Sequence, residues 1–405
     1  MKFKEILPIS TVVFLGYLGF SITFPIFPPL FLEEDSIFFV GSLSPEIRNI
    51  YLGLLLSMYP IGQLIGCPLI GKLSDYFGRK RVLLYSLAAI IPAYVGSAIS
   101  VTHSLPFLLF LSRFLSGLVE GNIVIAQATL ADIATSEAEK RKCFSWTMSL
   151  SSLAWVIGPF MGGKLSDPNL VSSFTYATPF WVAAVVSFFT FFYILKSFPR
   201  KASSNREGEL KLFQVFTTLF RGLRNRQLRP ILGVNTLLFM AIFFFFSFLP
   251  VFLVQKYDYS ASSLAEIMSY NSIPIALAPL FQARLFKNLT ASRVFIVTSF
   301  LVAIGLIIVI IPASPYALLV TLIPPSFGIA WGITYGALRV SENAPKEIQG
   351  EALGLNQSAM VFSEAFTAII GGQLAGLLLG LPLMVGAGCA ALAGLFATLH
   401  LQRLR

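Results

Sequence analysis

Charge is scarce in this chain. Only 12% of its 405 residues are Asp, Glu, Lys or Arg, about half the share of a soluble globular domain. A water-solvated fold of this length is excluded on that ground. Cysteine is rare too: Cys67, Cys143 and Cys389 each lie in or beside an apolar run, and no CxxC pair occurs. The thiols therefore read as small buried hydrophobes, not as a disulfide framework or a zinc site. The two histidines, His103 and His400, stand too far apart for a metal motif. No metal and no cofactor is expected. HxxxD, DxD and GxSxG arrangements are missing, which removes the usual signatures of a membrane acyl or glycosyl transferase. No enzyme is expected.

What is abundant is apolar length. Hydrophobic residues make up 56% of the chain, and the mean hydropathy is +0.79. Apolar runs of about 20 residues recur, each long enough to cross a bilayer as a helix. Twelve spans are predicted, near 6–32, 49–70, 82–101, 106–131, 143–166, 179–198, 230–254, 264–283, 294–312, 316–340, 351–379 and 382–401. The fold class is an all-α membrane protein with lipid as its solvent. The first run is too long for a signal-peptide core and lacks a small-residue cleavage site, so it is expected to stay as the first membrane helix.

The net charge of +10 encodes orientation and requires no nucleic acid. With the N-terminus inside, every Lys and Arg except Arg48, Arg113, Lys164 and Lys256 falls on the cytoplasmic side. That is the positive-inside pattern. Both termini are then cytoplasmic; the short loops and this pattern point to a bacterial inner membrane, and a monomer is expected. Six spans precede a polar stretch and six follow it. Residues 1–198 and 230–405 are expected to form two six-helix bundles, joined by a basic linker over 199–229. Within it Leu212, Phe213, Phe216, Leu219, Phe220 and Leu223 make one apolar helical stripe. A helix lying on the cytoplasmic membrane surface is predicted there; a solvated linker is the bland alternative.

One loop is unusual. Gly71-Lys72-Leu73-Ser74-Asp75-Tyr76-Phe77-Gly78-Arg79-Lys80-Arg81 is short, basic and glycine-bounded between two apolar spans. It resembles the loop between helices 2 and 3 of the major facilitator superfamily, with Gly71, Leu73, Asp75, Gly78, Arg79 and Lys80 in the patterned positions. The resemblance implies a secondary transporter with two pseudo-symmetric bundles and a conformational gate at this loop. Gly71 is expected to let the second span turn closely, and Gly78 to adopt a backbone barred to bulkier residues. Asp75 and Arg79 are four apart and suited to pair on one helical turn. A purely topogenic basic loop is the plainer alternative. Ala283 to Val294 sits in the second half as Gly71 to Val82 sits in the first, without the acid and the glycines. Parallel repeats of this kind hold a substrate site near the midplane.

Two further motifs extend the resemblance. Arg113, Gly117 and Gly121 form R-x-x-x-G-x-x-x-G, like the family's helix 4. Arg113, Glu120 and Gln127 are each two helical turns apart, so they share one face. Charged groups in an apolar span are expensive, and face a cavity or each other. Glu120 is thus a proton-coupling candidate with Arg113 beside it; a structural Arg113–Glu120 pair competes. Glu364, with no basic residue in its span, is the second candidate. Gly158-Pro159-Phe160-Met161-Gly162-Gly163 resembles the G-P-x-x-G-G of the superfamily's exporters, with Ala154 departing from glycine upstream. Pro159 is expected to bend the span. Gly158 and Gly162 are expected to offer a smooth face to a helix of the other half, close packing being the alternative.

Aromatic walls with few polar anchors suit amphipathic ligands. Tyr17, Ser21, Gln127, Asn235, Asn271, Trp331 and Tyr335 are the substrate-cavity candidates, though each residue of this type is more often packing. Arg339 and Glu351 are placed at cytoplasmic span ends, where snorkelling accounts for them. The whole pattern most resembles the drug:proton antiporter branch, including tetracycline-type exporters; Phe24-Pro25-Ile26-Phe27-Pro28 closes the first span as theirs does. One departure matters. Those exporters often carry an acid in helix 1, whereas this span has Gly16 and no acid between Ile6 and Leu32. The resemblance implies proton-coupled export of a small amphipathic molecule, with protons and the bilayer as partners. Uptake of a metabolite or siderophore by the same fold is the nearest rival. A non-transporting receptor or a membrane enzyme is the reading of another class.

Overall fold

The computed structural model describes residues 3–33, 36–38, 43–134, 136–199, 228–345 and 348–403, and among them it is helical with no strand. The predicted surface helix of the linker lies outside the described residues. In chain order the helices are α1 (Phe3–Ser21), α2 (Phe27–Leu32), α3 (Pro45–Phe77), α4 (Arg79–Thr102), α5 (Pro106–Val119), α6 (Asn122–Ile133), α7 (Glu137–Lys164) and α8 (Thr178–Ser197). Then come α9 (Leu228–Tyr257), α10 (Ala261–Leu285), α11 (Ala291–Ile310), the short α12 (Leu318–Thr321), α13 (Ile323–Asn343), α14 (Gln349–Leu377) and α15 (Leu381–Arg403).

Among the described residues, ten helical stretches are long and apolar enough to cross a membrane, with α5 and α6 counted as one stretch over Pro106–Ile133. The shorter apolar α1 and the 28-residue α7 bring the architecture to the twelve-helix plan. α7 opens on a polar turn. Ser136 caps it, accepting from the Glu139 N–H at 3.2 Å, which satisfies one of the unpaired donors at a helix start.

Three predicted spans are discontinuous, the tenth at Leu322 between α12 and α13. The first stops at Ser21, turns through residues 22–26 and resumes as α2. Pro25, Pro28 and Pro29 remove the N–H groups that a continuous helix would need there. The fourth breaks between α5 and α6.

The chain divides into two compact units. One comprises Met1–Val40, Met58–Phe216 and Ser260–Ser269; the other comprises Gly41–Ser57, Thr217–Tyr259 and Tyr270–Arg405. In the first, α1 packs on α6 and α7, and α4 packs on α5 and α8. Ile9, Val12, Val13, Leu83, Ile125 and Cys143 form its main described cluster. In the second, α9 and α11 pack on α15, while α13 and α14 flank them. α9 is buried along nearly its whole length, including the run Phe243 to Phe246. A helix apolar on every side belongs inside its bundle. Phe188, Phe189 and Phe192 of α8 are exposed instead, as lipid-facing residues are.

Candidate functional site

The break between α5 and α6 places the central carboxylate. The Glu120 N–H bonds back to the Gly117 carbonyl at 3.2 Å, and the Ile123 N–H to the Glu120 carbonyl at 3.2 Å. Both bonds are three residues long, a tightening that ends one helix before the next begins. The spacing of Arg113, Glu120 and Gln127 therefore does not run along one uninterrupted helix. The glycines of this stretch serve a neighbour. A Cβ on Gly117 would run into the Tyr59 carbonyl, and one on Gly121 would lie 2.5 Å from Ile70 Cβ. α3 thus presses against the break and holds it in place.

Arg113 is 2% exposed. Its guanidinium lies over the rings of Tyr59 at 4.9 Å and Phe27 at 5.5 Å, the geometry of a cation–π contact. Glu120 is 1% exposed; its carboxyl oxygens make no close hydrogen bond, and the Tyr59 hydroxyl is the side chain that approaches them. No direct hydrogen bond joins Glu120 to Arg113. Instead the carboxyl projects onto the bare face of α1. A Cβ on Gly16 would stand 3.0 Å from Glu120 Oε1 and 2.7 Å from Ile123 Cγ1. Tyr17, Cys67 and Tyr94 share the surroundings of the carboxyl, and Asn122, beside it in sequence, has a buried Oδ1 without a partner.

An aromatic wall continues from Arg113. Tyr59 meets Phe20 at 5.0 Å, Phe20 meets Trp155 at 5.4 Å, and Trp155 stacks on Phe24 at 5.7 Å. Tyr59, Tyr94 and Asn122 had not been singled out from sequence. They come from three separate helices, and nothing local marks their convergence. Ser21 proves a structural tie. Its hydroxyl donates to the Tyr17 carbonyl at 2.8 Å and lies 3.1 Å from the Ala154 carbonyl. Gln127 is half-buried on α6.

The second unit holds the remaining candidates in separate places. Trp331 donates its indole N–H to the Ala278 carbonyl at 2.9 Å and meets Phe327 at 5.1 Å and Phe286 at 5.0 Å. Tyr335 joins them through Phe286 at 5.6 Å. Asn271 accepts from the Ser326 hydroxyl at 2.6 Å. Asn235 donates to the Gly336 carbonyl at 3.0 Å and to Asn356 Oδ1 at 2.7 Å. Glu364 is buried on α14 beside Thr367, whose hydroxyl approaches its carbonyl at 3.2 Å. Arg339 departs from its expected place: it is 2% exposed, so it does not snorkel to an interface. Glu351 is exposed in the first turn of α14.

Comparison with known proteins fits this architecture. The sequence profile of the Major Facilitator Superfamily matches residues 9–339 and again 231–404. This chain belongs to the Major Facilitator Superfamily. It is 31% identical over 217 residues to the class B tetracycline resistance protein of Escherichia coli, covering 52% of this chain and 49% of that one. The match thus spans about half the length of that relative. The quinolone resistance protein NorA of Staphylococcus aureus is 23% identical over 405 residues, covering 98% of this chain and 96% of NorA. Among solved structures, a D-xylose–proton symporter superposes with a TM-score of 0.75 at 16% identity, over 97% of both chains. The two relatives are drug-resistance proteins by name and the solved structure is a symporter, and the drug-exporter resemblance drawn from the motifs agrees with them.

The superfamily loop has the geometry its pattern implies, with one exception. Gly78 has φ 92° and ψ 142°, a backbone open essentially to glycine alone. Arg79 pairs with Asp75 at 2.7 Å and with Asp132 at 3.2 Å, and also donates to the Ser74 hydroxyl at 2.7 Å. Lys80 caps the Leu195 carbonyl at 3.0 Å. Asp132, at the end of α6, is the partner that loop spacing alone did not supply. Gly71 is the exception: it lies inside α3, where a Cβ would meet only Val124 at 3.8 Å, so no close turn depends on it.

The exporter-type motif also packs differently from its expected role. A Cβ on Gly158 would clash with Ser21, and one on Gly162 with the Ile22 carbonyl. These two glycines receive α1 and the turn after it, not a helix of the later half. Only Gly163 faces a later segment, at Ala261 and Ala265 of α10. α7 runs through Pro159 without interruption.

Proposed function

We propose that this chain is a secondary active transporter that exports a small amphipathic molecule in exchange for protons, by alternating access. The carrying observation is Glu120. A carboxyl buried in a membrane span, at a helix break and with only the Tyr59 hydroxyl approaching it, is costly when ionised. Protonation relieves that cost, and access of water restores the ion. Such a group ties its protonation to the conformation around it, which is what coupling requires. Broken spans are also where secondary transporters place their ion sites.

Glu120 is the proposed proton carrier, and Arg113, held by Tyr59 and Phe27, sets the field around it. Glu364 is the second candidate carboxyl. The wall of Tyr59, Phe20 and Trp155, with Tyr17, is the proposed ligand surface in the first unit; Trp331 and Tyr335 with Phe286 serve in the second. The bundles 1–198 and 230–405 are the proposed moving bodies, and the loop of Asp75, Gly78, Arg79 and Lys80 the proposed gate. The resistance activities named for the similar proteins favour export. The positive-inside distribution favours cytoplasmic termini, in a bacterial inner membrane. Uptake by the same fold remains the rival for direction alone.

Proteoliposomes carrying the wild type, Glu120→Gln and Glu364→Gln test the reading. Amphipathic cations, neutral aromatics and carboxylates are supplied, and proton movement is followed. Substrate-driven proton flux that one Gln variant abolishes identifies the carrier. Substrate movement without protons would sink the antiport mechanism.

A further inference from the structure

One side chain of the first unit touches both the aromatic wall and the buried carboxyl. Tyr59, on α3, is 4% exposed. Its ring carries the Arg113 guanidinium at 4.9 Å. The same ring meets Phe20 at 5.0 Å, with the planes tilted by 31°, and Phe20 continues to Trp155 and Phe24. At the far end of the ring, the hydroxyl approaches the Glu120 carboxyl. All of these residues belong to one compact unit.

Backbone packing fixes where that ring stands. A Cβ on Gly62 would run into the Phe114 carbonyl, one on Gly66 into the Leu118 carbonyl, and one on Gly117 into the carbonyl of Tyr59 itself. α3 and α5 therefore meet backbone to backbone along this stretch, with Tyr59 at the contact. Tyr17 of α1, Cys67 of α3, Tyr94 of α4 and Arg113 of α5 also face the carboxyl. Their chemistry or direction sets them apart from Tyr59. The Tyr17 hydroxyl has Ser151 as its neighbour, and a thiol is a weak donor. A Cβ on Gly19 would collide with the Tyr94 hydroxyl, so that hydroxyl is turned toward α1. The Arg113 guanidinium lies over the Tyr59 and Phe27 rings.

We propose that Tyr59 is the positioning residue of the proton site: its hydroxyl holds the Glu120 carboxyl, and its ring links that carboxyl to occupancy of the aromatic wall. A phenol donates to a carboxyl in either protonation state, and the bond is stronger to the ion. Ring and hydroxyl are one rigid body on two torsions, so neither moves without the other. The hydroxyl now stands near the carboxyl without a close bond. A molecule packed against Phe20 and Tyr59 seats the ring and closes that bond, which favours the ionised carboxyl. The bound molecule and the proton then exclude one another without sharing an atom, and the linkage is reciprocal. This role rests on the reading of Glu120 as the proton carrier.

Infrared difference spectra between acid and alkaline pH test this role without any substrate, on the full chain in phosphatidylcholine nanodiscs. The carbonyl band of protonated Glu120 is identified by its loss in Glu120→Gln. Tyr59→Phe keeps the ring and removes only the hydroxyl, so the band is expected at higher wavenumber, as for a carbonyl that loses a hydrogen bond. Phe20→Leu removes the ring that Tyr59 packs on and is expected to move the band the same way. In the double variant the band should move no further than in Tyr59→Phe alone, because the wall acts only through the hydroxyl. Tyr94→Phe should leave it in place. A band unmoved by Tyr59→Phe or by Phe20→Leu, moved equally by Tyr94→Phe, or moved additively in the double variant overturns the role. If Tyr59→Phe does not fold, Phe20→Leu decides, and an unmoved band overturns the link. A wild type with no band that Glu120→Gln removes sinks the carrier reading and this one together. The expected band shifts without substrate-driven proton flux would sink the antiport mechanism alone and leave the role of Tyr59 standing.

Discussion

Moving the carboxyl from the α5–α6 break to α1 should move the proton site with it. The Cβ of a residue at 16 would stand 3.0 Å from Glu120 Oε1, so an aspartate there puts its carboxyl into the space that the Glu120 carboxyl now fills. The double variant Gly16→Asp with Glu120→Ala exploits this. The alanine empties the region, and the aspartate refills it from the opposite wall. Ile123 is the remaining obstacle, with Cγ1 and Cδ1 at 2.7 and 2.8 Å from the new Cβ. Such overpacking costs about 1–3 kcal/mol. Ile123 Cδ1 is the mobile end of its side chain, and removal of the Glu120 side chain offsets part of that cost, so a net loss of about 1 kcal/mol is expected. Glu120→Ala alone should reduce substrate-driven proton flux to the protein-free background. The double variant should regain at least about a tenth of wild-type flux, because a tenfold loss corresponds to about 1.4 kcal/mol of imperfect placement. Proton flux in proteoliposomes is the assay, with reconstituted protein quantified and Tm measured beside it. A double variant that is folded and inserted, yet no more active than Glu120→Ala, would refute the claim that the position of the carboxyl is what matters.

Other consequences are simpler. Gly78→Ala forces a side chain into a backbone region that costs about 1–3 kcal/mol, so its Tm should fall, whereas Gly71→Ala should be neutral or stabilising by up to about 1 kcal/mol, since it sits in a helix with room for a methyl. Equal effects in thermal unfolding would contradict the assignment of the strained glycine. Asp132→Asn should slow transport while changing stability by less than about 1 kcal/mol, because its pair with Arg79 is half-exposed; an unaltered turnover would show that Asp75 alone suffices. The loop residue Asp167 is held below the usual carboxylate range, first by the Asn169 backbone N–H, then by the Ser262 hydroxyl, with Lys164 adding less. Its contribution is therefore present above the ordinary Asp range and is lost as pH falls toward its depressed value. Asp167→Asn should flatten that acid limb of the Tm–pH profile, and an unchanged limb would exclude this group.

How much was legible beforehand depended on the range of the interaction. The twelve helices were readable because apolar length is a property of the chain: a bilayer demands about 20 apolar residues per crossing wherever they fall. Gly78 was readable because its constraint is on its own backbone, and the Asp75–Arg79 pair because four residues make one helical turn. The break at Glu120 was not. Its seven-residue spacing to Arg113 and Gln127 suggested one continuous face, and only the approach of α3 against Gly117 and Gly121 shows the helix ending there. The exporter-type glycines announced close packing, but not that α1 is what Gly158 and Gly162 receive. Gly16 appeared in the sequence as a missing acid; tertiary structure shows it as the space into which the Glu120 carboxyl projects. Arg339 followed the same course, from an interfacial side chain by position to a buried, unpaired cation by packing. Length, hydropathy and local geometry are written along the chain, whereas burial and partnership are set by which helices meet, and that is decided only when the bundle closes around them.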